Sequence, residues 1–371
     1  MEAPMALIKH FSIIHDPRIN RTKEHKLIDI LVIAVVGAIC GAESWDQIEF
    51  VAKSKISWLK QYLELKGGIP SHDTIGRVMS RISPLQLERA FAAWMSEVAS
   101  LSKGEVIAID GKTLRRSFDS DIGKPAIHMV SAWATVNGVV LGQAKVDDKS
   151  NEITAIPKLL ELLNISGCVV TIDAMGCQKD IAQAIVGKKA DYVLGLKGNQ
   201  GKAHRAVIEY FKNAGDELKS ASTTEKGHGR EETRSCKVAS ADDIPELAKW
   251  PACRSVAAVT STRTIKGKTT AETRYFISSL KRDAKKIMHA VRAHWGIENK
   301  LHWVLDAQFN EDQSRVRSRD APENLAVLRH TAINLLRRET TFKGSMKKKK
   351  LHCAMSNDYL KKVLFEGNLD A

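Results

Sequence analysis

Two apolar runs in this chain each end in an aspartate: Val106-Ile107-Ala108-Ile109-Asp110 and Cys168-Val169-Val170-Thr171-Ile172-Asp173. A third acid, Glu298, lies far downstream in Arg292-Ala-His294-Trp295-Gly-Ile-Glu298-Asn-Lys300-Leu-His302-Trp303. In an open sheet, ligands gather outside the carboxyl ends of parallel strands, where side chains leave the packed interior. If the two runs are adjacent parallel strands, their carboxylates meet in one crevice and repel, and a cation between them relieves the repulsion. Magnesium suits such a place, because it accepts a few carboxylate oxygens and keeps waters and substrate phosphates. On a helix, His294, Glu298 and His302 recur every four residues and share a face. This is not the H-E-x-x-H arrangement of zinc proteases. Asp306, Glu311 and Asp312 are rival third acids that spacing alone leaves open.

Basic residues follow the acids closely. Lys112, Arg115 and Arg116 come after the first aspartate, Lys197 and Asn199 after the strand-like Tyr192–Leu196, and Arg315, Arg317 and Arg319 after the acidic helix. Such groups hold phosphates by charge and hydrogen bond, and Trp295 beside them suits stacking on an unpaired base. The whole chain of 371 residues carries a formal net charge of +14, a surplus that serves binding to a polyanion. A phosphodiester backbone is the substrate class this combination implies. Phosphoryl chemistry demands mainly positioning and charge neutralisation, so two metal ions suffice without an organic cofactor. A small-molecule phosphohydrolase fits less well, since no compact phosphate loop is present.

The elements that must position these residues are legible from pattern. Residues 1–100 read as helical, with a buried element over 27–42, an amphipathic one over 45–65 and another over 84–99. Between them Ser71 predicts an N-cap for a short helix with Ile75 and Val78 inward and Thr74 and Arg77 outward. That helix is either a DNA-reading helix-turn-helix element or a packing module. From Glu105 the order is strand, hairpin over 127–146 around Asn137-Gly138, helix over 154–163, strand to Asp173, helix over 178–186 and strand over 192–196. This predicts an α/β fold with a mixed sheet and flanking helices. Residues 200–275 read as a strand-rich insertion, with polar strands over 230–238, 256–264 and 273–279. Helix returns from Asp283 to Arg338. Residues 337–371 hold nine Lys or Arg against four Asp or Glu, which predicts a solvated, partly disordered basic tail over 341–371.

The six cysteines show no paired or zinc-ligand spacing, which favours a reducing compartment. The longest apolar stretch, residues 30–42, is too short to span a bilayer, and it begins too late for an ordinary signal peptide. A cytoplasmic protein with no membrane partner is the expectation.

Several motifs together resemble one family. Ala108-Ile-Asp110-Gly-Lys-Thr-Leu-Arg-Arg116, Thr171-Ile-Asp173-Ala-Met-Gly-Cys-Gln178, Tyr192-Val-Leu-Gly-Leu-Lys-Gly-Asn199 and His294-Trp-Gly-Ile-Glu298-Asn-Lys-Leu-His-Trp303 are similar to the H-repeat-associated transposases. Asn310-Glu-Asp-Gln-Ser-Arg315 and Asn324-Leu-Ala-Val-Leu-Arg329-His add to the likeness, which covers nearly the whole chain. These are bacterial insertion-sequence DDE transposases with an RNase H-like catalytic domain. The resemblance implies that Asp110, Asp173 and Glu298 are the catalytic and metal-binding triad, holding two Mg2+ or Mn2+ ions. It implies double-stranded DNA as partner (the element's terminal inverted repeats, and a target), a homodimer on that DNA, and nucleoid association when bound. It also implies an N-terminal transposase-associated, DNA-binding domain over 1–100 and a catalytic domain over 101–340. Related transposases often carry Tyr and Arg seven and four residues before the glutamate and Lys seven after. Here Val291, His294 and Leu305 stand there, so phosphate contact passes to Arg292, His294, Lys300 or His302. An RNase H-like nuclease without strand transfer, and an inactive DNA-binding derivative, are the rival readings.

Overall fold

The computed structural model describes residues 5–19, 23–118, 123–147, 150–215, 218–227 and 230–366. Its first part is helical, as expected: α1 (Met5–Phe11), α2 (Leu27–Cys40), α3 (Trp45–Ser54), α4 (Ile56–Leu59), α5 (His72–Met79) and α6 (Pro84–Val98). α2 is apolar on every side and almost wholly buried, the behaviour of a helix at the centre of a core. It stops at Gly41, whose φ of 100° supplies the left-handed turn that ends it. The amphipathic stretch expected over 45–65 is broken after α3. There Lys55 turns inward, and its Nζ bonds the Ala354 carbonyl at 3.0 Å and Asn357 Oδ1 at 2.9 Å. α5 starts at Ser71, whose Oγ accepts from the Thr74 amide at 3.3 Å, and buries Ile75 and Val78.

A single nine-stranded sheet follows, built from β1 (Val106–Leu114), β2 (Ile127–Ala134), β3 (Val139–Lys145), β4 (Val169–Ile172), β5 (Asp191–Leu196), β6 (Lys219–Gly227), β7 (Arg230–Ser240), β8 (Ser255–Ile265) and β9 (Lys268–Ser278). The spatial order is β3-β2-β1-β4-β5-β9-β8-β7-β6. β1, β4 and β5 are parallel neighbours, while β2 and β3 form the Asn137-Gly138 hairpin. The crossovers carry α7 (Glu152–Leu162) and α8 (Lys179–Gly187), close to their expected places. The expected α/β class with a mixed sheet and flanking helices is therefore present. The strand-rich insertion is not a separate lobe, because β9 pairs antiparallel with β5 and extends the central sheet. Two of its elements were not foreseen, α9 (Gly201–Asn213) and β6. Both are mostly polar: β6 buries none of its residues and α9 only Ala203 and Val207. Neither leaves a strong periodic signal.

The chain closes with α10 (Ala284–His294), a π-helical turn over Glu298–His302, α11 (Trp303–Phe309), α12 (Ala321–Arg338), α13 (Met346–Met355) and α14 (Asn357–Lys361). α12 is buried from Ala321 to Leu336 and packs against α2, α5, α6 and β3. One apolar cluster runs from Phe11 of α1 through α2, α6, one face of the sheet and α12 to Leu360 of α14 and Val363 beyond it. The solvated tail expected over 341–371 is thus corrected for residues 346–366. They are helical, and Cys353, Tyr359, Leu360 and Val363 are buried. The lysines do not prevent this, because Lys349 Nζ bonds the Leu336 carbonyl at 2.9 Å and Lys350 Nζ lies 4.2 Å from the centre of the Phe309 ring. Residues 367–371 lie outside the described region.

Candidate metal centre

Side chains alternate between the two faces of a strand, and here the alternation sorts core from site. Ile107, Ile109, Val170, Ile172, Tyr192 and Leu194 belong to the large apolar cluster. Val106, Val169 and Val193 pack instead with Ile287, Met288 and Ala290 of α10. Continuing along that second face, the next residues are Ala108 and Asp110, Thr171 and Asp173, and Gly195 and Lys197. The apolar face beneath α10 therefore becomes polar toward the carboxyl ends of three parallel strands.

β1 pairs with β4 only as far as Ile109 opposite Ile172. Beyond that level β1 runs on to Leu114, paired with β2 alone. Asp110 is thus not the last residue of its strand, as the sequence suggested, but the first residue past the end of its neighbour. Asp173 follows β4 directly on the adjoining strand. Its Oδ1 accepts the Met175 amide at 3.0 Å and the Gly176 amide at 3.5 Å, which folds the chain sharply. Gly195 of β5 makes room for that turn: a Cβ there would stand 3.1 Å from the Ala174 amide and 3.3 Å from the Asp173 carbonyl carbon.

Glu298 reaches the crevice from the π-helical turn, not from a continuous α-helix. Single π turns inserted between α-helical segments are frequent at functional sites. His302, 5% exposed, lies with Nδ1 3.5 Å from Glu298 Oε2 and 3.7 Å from Asp110 Oδ2. One donor atom from each of Asp110, Glu298 and His302 lies within 4.8 Å of the others. Among the described residues Asp173 is not part of that tight set, though it lines the same cavity of about 470 Å³ with Asp110, His294, Trp295 and Glu298. His294 shares a 3.0 Å hydrogen bond with Thr171 Oγ1, which fixes α10 onto β4.

The electrostatics fit a missing positive charge. Burial first, and then the nearby charge of Glu298, push the Asp110 carboxyl well above the usual carboxylate range. Burial lowers the basicity of both His294 and His302, which favours neutral rings with a lone pair to offer. His302 Nε2 has no hydrogen-bond partner among the described residues. Two carboxylates and a neutral imidazole in such a pocket suit a divalent cation.

The other expected site residues divide. Lys112 does not stand free for phosphate: its Nζ lies 2.8 Å from Asp306 Oδ1, 2.8 Å from Asp312 Oδ1 and 3.2 Å from Glu311 Oε2. The rival acids are thereby spoken for, with Arg115 on Asp312 at 3.1 Å and Arg329 on Glu311 at 3.5 Å. Lys112 ties β1 to the segment that follows Glu298. Lys197 is exposed on the cavity wall, and Asn199 is turned to the Ala174 carbonyl at 2.7 Å. Arg292 faces the neighbouring trough and pairs with Glu225 at 3.4 Å. Arg317 bonds the Arg116 carbonyl at 3.2 Å, while Lys300 and Arg315 are exposed. Trp295, 43% exposed, is covered on one side by the Arg274 guanidinium, 5.3 Å from its ring centre. Glu272, Arg274 and Tyr275 of β9 were missed from sequence, yet they line the cavity. The only available signal was the polar–apolar alternation of a strand with no assigned neighbour.

A mixed sheet with acids at the ends of adjoining parallel strands, under a helix that brings a glutamate, places the molecule among the RNase H-like α/β proteins. Comparison with known families narrows this. Residues 101–335 match the family described as "Transposase DDE domain" and residues 8–95 the one described as "DDE_Tnp_1-associated". The chain belongs to the DDE transposase family. It is 47% identical to "Putative transposase YncI" of Escherichia coli O157:H7 over 97% of this chain and 94% of that protein. It is 43% identical to "H repeat-associated putative transposase YhhI" of Escherichia coli K12, over 98% of each. A shorter relative, "Inactive transposase YbfQ" of the same strain, is 44% identical over 20% of this chain and 89% of its own length. Among solved structures, a piggyBac transposase synaptic complex with hairpin DNA aligns over all of this chain and 82% of its own, with 12% identity and a TM-score of 0.47, a likeness too slight to argue from.

Proposed function

We propose that this chain is an active insertion-sequence transposase that cleaves DNA at the element's ends and joins the freed 3′-hydroxyl to a target. The observation that carries the reading is the convergence of Asp110, Asp173 and Glu298 on one cavity, with the carboxylates of Asp110 and Glu298 close enough to disfavour double ionisation. Divalent ions held by these three residues would supply charge neutralisation and a polarised oxygen for in-line displacement at phosphorus. The chain's own residues do the rest. Lys197 on the cavity rim, and exposed Arg115, Lys300 and Arg315 further out, attract and hold the phosphate backbone. Trp295 offers a ring face to a base drawn out of the duplex, and Arg274 beside it adds charge. His294, held by Thr171, takes the place of the arginine that related transposases carry there and shapes the cavity wall. Two copies on paired ends, with the residue 1–100 helices contacting flanking DNA, complete the proposal.

Asp173→Asn tests it. Cleavage of a duplex carrying the element's terminal repeat should fall at least about 10³-fold, with binding to the same duplex unchanged in a mobility-shift assay. Undiminished metal-dependent cleavage would overturn the assignment. A nuclease without strand transfer would cut the same duplex but leave a pre-cut end unjoined to a target plasmid. The inactive reading draws on the short relative named above. Here all three acids are present and the cavity is formed, which favours turnover.

A further inference from the structure

The three acids do not make one uniform pocket. Asp173 has an oxygen committed to two backbone amides, whereas Asp110, Glu298 and His302 already face one another. Adjacent ligands on an octahedral ion with bonds of about 2.1 Å lie about 3.0 Å apart, and opposite ones about 4.2 Å. The 3.5 Å and 3.7 Å separations from His302 Nδ1 fall within that interval, so a small shift of each side chain admits an ion. Nδ1 is the ring atom aimed at both carboxylates, and the rest of the ring is locked in the interior, where Nε2 makes no hydrogen bond among the described residues.

We infer that His302 is a direct metal ligand, and that Asp110, Glu298 and His302 form a first cation site complete before DNA arrives, with a preference for Mn2+ over Mg2+. Imidazole nitrogen binds mid-row transition metals better than it binds magnesium, which seeks oxygen. Asp173 takes no part in this first site and serves the second ion, which forms with substrate. The inference rests on the metal-dependent reading above and adds the ligand set, the order of filling and the metal choice.

Pulsed electron paramagnetic resonance on the full-length protein with one equivalent of MnCl2, and no DNA, tests this. The expected result is a directly bound nitrogen on Mn2+, shifted in the predicted way when histidine is labelled with 15N. The signal is lost in His302→Gln and kept in His294→Gln and Asp173→Asn. Titration of free Mn2+ should show affinity falling about 10-fold or more in His302→Gln, in line with loss of one metal ligand. MgCl2 should displace Mn2+ only in large excess. Bound Mn2+ with oxygen ligands alone would overturn the inference and leave the metal-dependent transposase standing. Nitrogen coupling lost in His294→Gln instead would reassign the ligand and overturn it also. No Mn2+ bound at millimolar concentration would overturn both readings.

Discussion

Asp110 and Lys112 point to the same side of β1, two residues apart, and have opposite tasks. The aspartate faces an acid and lacks a cation, while the lysine is surrounded by three carboxylates. Removing the lysine's charge leaves buried acids without a partner, a change that costs about 3–5 kcal/mol. Lys112→Gln should lower stability by about that amount in urea unfolding, and should weaken metal binding by loosening Glu298 relative to β1. Gly195 makes a sharper test of site geometry. A methyl group there meets backbone, not a movable side chain, so Gly195→Ala must displace the Asp173 turn. Cleavage should drop about 10²-fold, with the unfolding midpoint changed far less; equal loss of both would make the glycine merely structural. At this scale the sequence was informative. Asp110 and Asp173 were legible because each closes an apolar run, and Glu298 because of its motif. Lys112's partners were not, since they depend on a contact between residues about two hundred positions apart.

Elements carry the next level. The strand order around the site was readable from apolar runs, an Asn-Gly turn and two intervening helices, because parallel crossovers leave few alternatives. The π turn was not readable: four-residue spacing of His294, Glu298 and His302 suits an unbroken α-helix equally well, and an inserted residue leaves no mark in hydrophobic periodicity. The C-terminal helices were misread for a related reason. Four consecutive lysines look like a solvated run, but aliphatic stems can be buried when the ammonium groups find carbonyls, as Lys349 and Lys350 do. Leu360 gives the measure of that segment's worth. It is fully buried in α14, so Leu360→Ala should cost about 2–5 kcal/mol in urea denaturation, where a solvated tail would register almost nothing.

For the whole molecule, the helices of the first hundred residues and the sheet are joined through buried polar groups as well as apolar ones. Glu88 of α6 lies buried near Glu323 of α12 and Gln143 of β3; burial pushes the Glu88 carboxyl up to about 8 and Glu323 to about 7. Both folded values lie above the unfolded ones, so the native state keeps protons that the unfolded chain has released. This junction is therefore fully stable at low pH, as far as these two groups decide it. It loses stability as pH rises from about 4.5 towards 8, where both become charged. Glu88→Gln should remove much of that slope, raising the melting temperature by several degrees at pH 8 and little at pH 5. An unchanged slope would mean the junction opens to water.

Residues 346–366 cover α2, which is among the first segments to leave the ribosome. A nascent chain halted before Met346 would hold an unsheltered oily flank, and nothing upstream can substitute for the missing lid. Synthesis and closure must then finish together, so premature stop codons even close to the end of the reading frame should yield material that chaperones and proteases remove.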